Sequence, residues 1–147
     1  MITRRSFLKN AAIGSAVAIA EMNFAWAMQQ KIQKIGVQLF SLPKLLDKDF
    51  SAAIAMLAQM GYKEVEMFGP YSFSSAVTQE RWNKMSGVLG FKGSGFFGHS
   101  ASEVKEILNR NGITAPSLHT DLDTLENGME KLSEAANTLG SKYVVLP

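Results

Sequence analysis

The 147-residue chain has no cysteine, which excludes disulfides, thiolate metal sites, a cysteine nucleophile and the lipid-modified terminus of a bacterial lipoprotein. A chain without thiols suits an oxidising compartment. It also has no apolar run near the roughly 20 residues that a membrane-spanning helix needs. The run Ala11 to Ala20 is ended by Glu21, which leaves no stable membrane anchor. No excess of one charge survives inspection either. The formal +2 arises within residues 1 to 27, where Arg4, Arg5 and Lys9 face only Glu21. The remainder is balanced, so composition offers no footprint for nucleic acid or an anionic membrane. Finally, no glycine-rich phosphate loop follows the first strand-like segment, where Phe40-Ser41-Leu42-Pro43 stands instead.

What is present divides the chain into three parts. With 46% hydrophobic and 19% charged residues the composition is globular, and the length fits one domain. Residues 1 to 27 carry the parts of a secretory signal: a charged start, a short apolar stretch and the small-x-small cleavage site Ala25-Trp26-Ala27. Within it, Thr3-Arg4-Arg5-Ser6-Phe7-Leu8-Lys9 matches the twin-arginine pattern, an address read by the machinery that exports folded proteins. Arg4 and Arg5 are the signal motif, Ala25 and Ala27 flank the expected cleavage, and the expected location is the periplasm. Residues 28 to 33 are a linker, and residues 34 to 147 are the folded part.

From Lys34 onward, strand-like runs alternate with amphipathic helices. Lys34 to Phe40 reads as a first strand and Asp49 to Met60 as a helix, with Phe50, Ala53, Ile54, Leu57 and Ala58 at helical spacing and Gly61 as the stop. Lys63 to Phe68 is a second strand. Ser100-Ala101-Ser102-Glu103 has the spacing of a capping box and opens a helix ending near Asn111-Gly112. Ile113 to His119 is a third strand, in which Pro116 cannot donate to the ladder and marks a local bulge. A helix follows Asp121 or Asp123 with Leu125, Met129, Leu132, Ala135, Ala136 and Leu139 along one face, stops at Gly140, and leads to a fourth strand, Lys142 to Leu146. The connection Gly69 to Gly98 is long and aromatic-rich, with a helical patch at Gln79 to Leu89 in which Trp82 serves packing. His99, just after that connection and before the helix cap at Ser100, reads as structural or solvent-exposed.

Alternating strands and helices indicate an α/β protein with a parallel sheet. Two architectures fit: the N-terminal half, about four βα units, of a TIM (β/α)8 barrel, or a small open parallel sheet. Length favours the open sheet, since a full barrel needs roughly 250 residues. Patterning favours the barrel. Buried central strands of open sheets read as continuous apolar runs, whereas here Ile35, Val37 and Leu39 oppose Gly36, Gln38 and Phe40, and Val65 and Met67 oppose Glu64 and Glu66.

The segments KIGVQLFS (34 to 41), GYKEVE (61 to 66), FGHSASEVKEIL (97 to 108), PSLH (116 to 119) and LGSKYVVLP (139 to 147) together resemble the sugar phosphate isomerase/epimerase family. These are xylose-isomerase-like TIM barrels related to the apurinic-site endonucleases. The order and spacing of the segments carry the likeness, from about Lys34 to Pro147. The resemblance implies proton transfer beside a sugar carbonyl and a divalent metal ion held by carboxylates and a histidine on later strands, so no metal ligand is placed on this chain. It also implies a partial barrel, inactive by itself.

Barrel active sites lie at the C-terminal ends of the strands, which selects Gln38, Phe40, Glu66 and His119. His119, at the end of the third strand, can hydrogen-bond a substrate hydroxyl or shuttle a proton. A histidine bonded only to the following turn is the plainer alternative. Glu66 alternates inward between Val65 and Met67, where a carboxylate is costly unless paired or used; the alternative is a surface glutamate on a frayed end. The resemblance places His119 and Glu66 in the catalytic site, Glu66 as a positioning carboxylate rather than the base, with Gln38 and Phe40 binding substrate.

Three functions remain open. The first is an exported, metal-dependent sugar isomerase or epimerase. The second is a phosphodiesterase of the endonuclease type, against which the neutral folded part argues. The third is a carbohydrate-binding barrel without catalysis.

Overall fold

Alternation of apolar and polar side chains builds the sheet. In the computed structural model, which describes residues 34–147, four parallel strands lie in the order β1 (Gly36–Gln38), β2 (Glu64–Phe68), β3 (Thr114–His119) and β4 (Tyr143–Val145). The signal motif at Arg4 and Arg5 and the cleavage site at Ala25 and Ala27 lie outside the described residues. Each strand pairs with the next in sequence. A doubly wound sheet reverses its order at a switch point, and this one does not reverse. With right-handed crossovers, such an order stacks the helices on one face, which is the arrangement of half a (β/α)8 barrel, here with β1 and β4 as open edges among the described residues. No described helix is long and apolar enough to cross a membrane.

The helices are α1 (Pro43–Lys48), α2 (Phe50–Gln59), α3 (Ala76–Leu89), α4 (Ala101–Arg110), α5 (Leu122–Asn127) and α6 (Met129–Leu139). Their starts are set by side chains that accept from free backbone N–H groups: Asp49 from Ala52, Ser75 from Thr78 and Asp121 from Thr124. Ser100 and Glu103 form the full reciprocal capping box of α4. Ile54 and Leu57 of α2, Val104 and Leu108 of α4, and Leu132 and Leu139 of α6 bury against Val65, Met67 and Leu118 of the sheet.

Several boundaries differ from the sequence expectation. The first strand is only three residues long, because Leu39–Ser41 tightens into a 3-10 turn and Pro43 opens α1, which the apolar pattern does not announce. The long connection after β2 holds the 14-residue α3, three residues longer at its start than the Gln79 patch suggests, because Ser75 caps it. The single helix expected after Asp121 is two, broken at Gly128, and the break leaves Met129 half-exposed rather than in the core.

Pro116 has a larger consequence. Glu64 pairs with Thr114 but Glu66 pairs with Ser117, so two steps along β2 oppose three along β3. The extra residue is a bulge, and it reverses which face the following side chains occupy. Ala115 and Leu118 are therefore both buried, though three apart, while Ser117 and His119 are only half-buried. The neighbouring segment engages the bulged carbonyls: Lys142 N donates to Pro116 O at 2.8 Å and Ser141 Oγ to Ala115 O at 2.6 Å.

Candidate functional site

The sheet register sets Gln38, Glu66 and Ser117 side by side on three successive strands. Their side chains meet on the face away from the buried Val65, Met67 and Leu118. Gln38 Nε2 donates to Glu66 Oε1 at 3.0 Å, and Ser117 Oγ donates to Glu66 Oε2 at 2.6 Å, so each carboxylate oxygen has its own donor. His119 lies two pairs further along β3, with Nδ1 3.2 Å from Gln38 Nε2. A half-buried carboxylate satisfied in this way escapes most of the penalty of an unpaired buried charge.

Above this row lies an open cleft of about 370 Å³. Gln38 and His119 form its polar wall, while Phe40, Phe68, Trp82 and Met85 give apolar surface. Phe68 meets Phe40 edge-to-face at 5.2 Å and Trp82 at 5.9 Å, and Phe91 closes on Phe40 at 6.1 Å and Trp82 at 5.7 Å. Trp82 is buried, its indole N–H donating to Lys92 O at 2.9 Å, in keeping with packing. The aromatics of the connection between β2 and α4 thus extend the main core toward the cleft, and Thr78, Arg81, Trp82 and Met85 of α3 line it. His99 is half-buried and tilted against Phe50 at 5.5 Å, away from the row.

The structure therefore brings Gln38, Phe40 and His119 together as cleft-lining residues, and sets Glu66 behind Gln38 rather than on the cleft surface. Sequence reasoning overlooked Ser117. Strict alternation from Ile113 and Ala115 assigns it to the helix face, and only the bulge at Pro116 turns it inward. It also overlooked the polar rim. Thr78 Oγ1 donates to Asp123 at 3.0 Å, Asp121 and Arg81 stand beside it in the cleft, and Thr120 keeps its hydroxyl buried with no partner among the described residues. Hydrogen bonds from Ser75, Thr78 and Asn127 hold the Asp123 carboxyl below its ordinary range. Tyr71 braces the site from below: its hydroxyl donates to His119 O at 3.0 Å. Burial, then the negative charges of Glu66 and Asp121, pushes its phenol pKa well up, so it stays a neutral donor.

Among the described residues no three histidine, aspartate or glutamate side chains converge as a metal site would require. Gln38 and His119 can bind and orient a hydroxyl or carbonyl oxygen through hydrogen bonds.

A solved structure from Parabacteroides distasonis ATCC 8503, described as a sugar phosphate isomerase/epimerase, superposes on this chain with a TM-score of 0.50 at 19% sequence identity. The match covers 81% of this chain and 40% of that one, so the chain spans well under half of its length. The likeness shows a shared fold. No protein-family model and no curated protein matches the chain.

Proposed function

We propose that this chain is the N-terminal half of an exported barrel that isomerises or epimerises a sugar or sugar phosphate by proton transfer beside its carbonyl. One observation carries the reading. Gln38 and His119 stand at the C-terminal ends of parallel strands beneath a cleft with an aromatic wall, backed by Glu66 and Ser117 lower on the same sheet face. Sugars combine hydroxyls that need polar partners with C–H faces that pack on rings, and a cleft with one polar and one aromatic wall suits both. The structural neighbour's description agrees with the substrate class.

In this reading His119 meets a substrate oxygen, Gln38 and Phe40 bind the sugar, and Glu66 holds Gln38 in place. The divalent metal ion would take its ligands from residues outside those described and would polarise the sugar carbonyl. The leader around Arg4 and Arg5 directs the protein through twin-arginine export to the periplasm.

The test is solvent-deuterium incorporation next to the carbonyl in a panel of ketoses and aldoses, free and phosphorylated, using full-length protein with added divalent metal. Exchange that disappears in His119→Asn supports the reading. Saturable binding of a sugar without exchange selects the non-catalytic carbohydrate-binding barrel instead, and neither binding nor exchange across the panel overturns the sugar assignment.

A further inference from the structure

The row contains a constraint on where His119 carries its proton. Glu66 is an acceptor through both oxygens, and Oε1 lies 3.0 Å from the Gln38 amide. Only the amide nitrogen has hydrogens to give, so the nitrogen and not the oxygen of Gln38 faces Glu66. The same nitrogen lies 3.2 Å from His119 Nδ1. Its second hydrogen points to that ring atom, and two N–H groups cannot face each other there. A hydrogen bond across this contact requires His119 Nδ1 to accept, and so to carry no proton.

We infer that Gln38, anchored by Glu66, is a positioning residue that fixes His119 as the neutral tautomer protonated on Nε2. His119 then presents an N–H donor to the cleft. Such a ring recognises an acceptor oxygen, a hydroxyl or carbonyl of the ligand, and does not take up a proton through Nδ1. Three elements set this up together: β1 supplies the amide, β2 the carboxylate, and the bulge in β3 turns His119 to the same face. Ser117 completes it by occupying Glu66 Oε2, which leaves Oε1 for Gln38. The inference rests on the proposed function only for the nature of the ligand; the tautomer is a property of the protein alone.

The experiment is a long-range 1H–15N correlation spectrum of ligand-free, full-length protein labelled at histidine nitrogen, with His119 assigned by the signals missing from His119→Asn. The expected result is the pattern of a ring protonated on Nε2 at neutral pH. In the double variant Gln38→Glu/Glu66→Gln, which keeps a single carboxylate in the row and gives Nδ1 an acceptor in place of a donor, the ring should move to Nδ1 protonation or to the doubly protonated form. In Gln38→Met, which gives Nδ1 no partner, both neutral tautomers should be present. A wild-type ring protonated on Nδ1 or on both nitrogens overturns the inference, even if no variant folds, and so does an unchanged Nε2 pattern in the folded double variant. Failure of every sugar assay with the Nε2 pattern intact would overturn the sugar reading and leave this one standing.

Discussion

Ser117 Oγ donates to Glu66 Oε2 at 2.6 Å across β2 and β3, and this contact exists only because the bulge at Pro116 turns Ser117 to the Glu66 face. The carboxylate is thereby held from two sides, by a hydroxyl on one strand and an amide on another. Hydrogen bonds to charged groups are stronger than neutral ones.

Ser117→Ala is expected to lower stability by about 1.5–3 kcal/mol, the range for a hydrogen bond to a charged group. Urea denaturation checks it: the midpoint should fall with the slope unchanged. A variant within about 0.5 kcal/mol of wild type would mean that water replaces the hydroxyl freely.

The alternation of Val65 and Met67 against Glu64 and Glu66 was legible in the sequence, and so were the capping box at Ser100 and the glycine stop at Gly140. Each is a local pattern that tertiary contacts reinforce. The inward row was legible only in part. Gln38, Glu66 and His119 follow from strand ends, but Ser117 depends on a register shift that no short-range period reveals. The break at Gly128 is of the same kind, since the apolar spacing from Leu125 to Leu139 runs through it without interruption. α3 was half legible, because its start is set by a Ser75 cap on a helix of weak apolar periodicity.

The capping box also adds a pH-dependent contribution to stability. Hydrogen bonds from the Ser100 backbone and side chain hold the exposed Glu103 carboxyl below its ordinary range. A carboxyl whose pKa is lower folded than unfolded contributes stability above the unfolded value and loses it as pH falls through the folded one. Ser100→Ala removes the N-cap, a change that usually costs about 1 kcal/mol, and with it the side-chain bond to Glu103, while the backbone bond stays. The gap to wild type should narrow as the pH drops below the ordinary carboxylate range. Denaturation midpoints across that range test this, and a constant gap would contradict it.

Gly95 occupies a left-handed conformation with φ +57°, and a Cβ there would stand 2.7 Å from Pro70 O and 2.9 Å from Tyr71 Cα. Both neighbours are backbone atoms and cannot swing aside. Gly95→Ala is expected to destabilise by about 1–3 kcal/mol through strain, and to disturb Tyr71 and its bond to His119 O. Gly112→Ala, also left-handed at φ +63° but in open space, should lose less. Thermal melts of the two variants side by side give the comparison, and equal losses would show that space at Gly95 does not matter.

The proposed export predicts a chemical end. Cleavage after Ala27 would leave Met28 as the first residue of an exported protein, and N-terminal sequencing would read it directly. Replacing both Arg4 and Arg5 by lysine should retain the precursor in the cytoplasm. An intact Met1 on periplasmic protein would remove the signal-peptide assignment.

A polypeptide of residues 34–147 in isolation presents β4 as an open edge, with Tyr143 65% and Val144 41% exposed. Unpaired strand edges with exposed apolar side chains template pairing with another chain. Sedimentation of this polypeptide should therefore show association that grows with concentration. Val144→Lys places a charge on the edge, a device that natural sheets use against such pairing, and should shift the distribution toward monomer. Unchanged association in the variant would locate the contact elsewhere, with the exposed edge of β1 at Gly36 as the next place to probe.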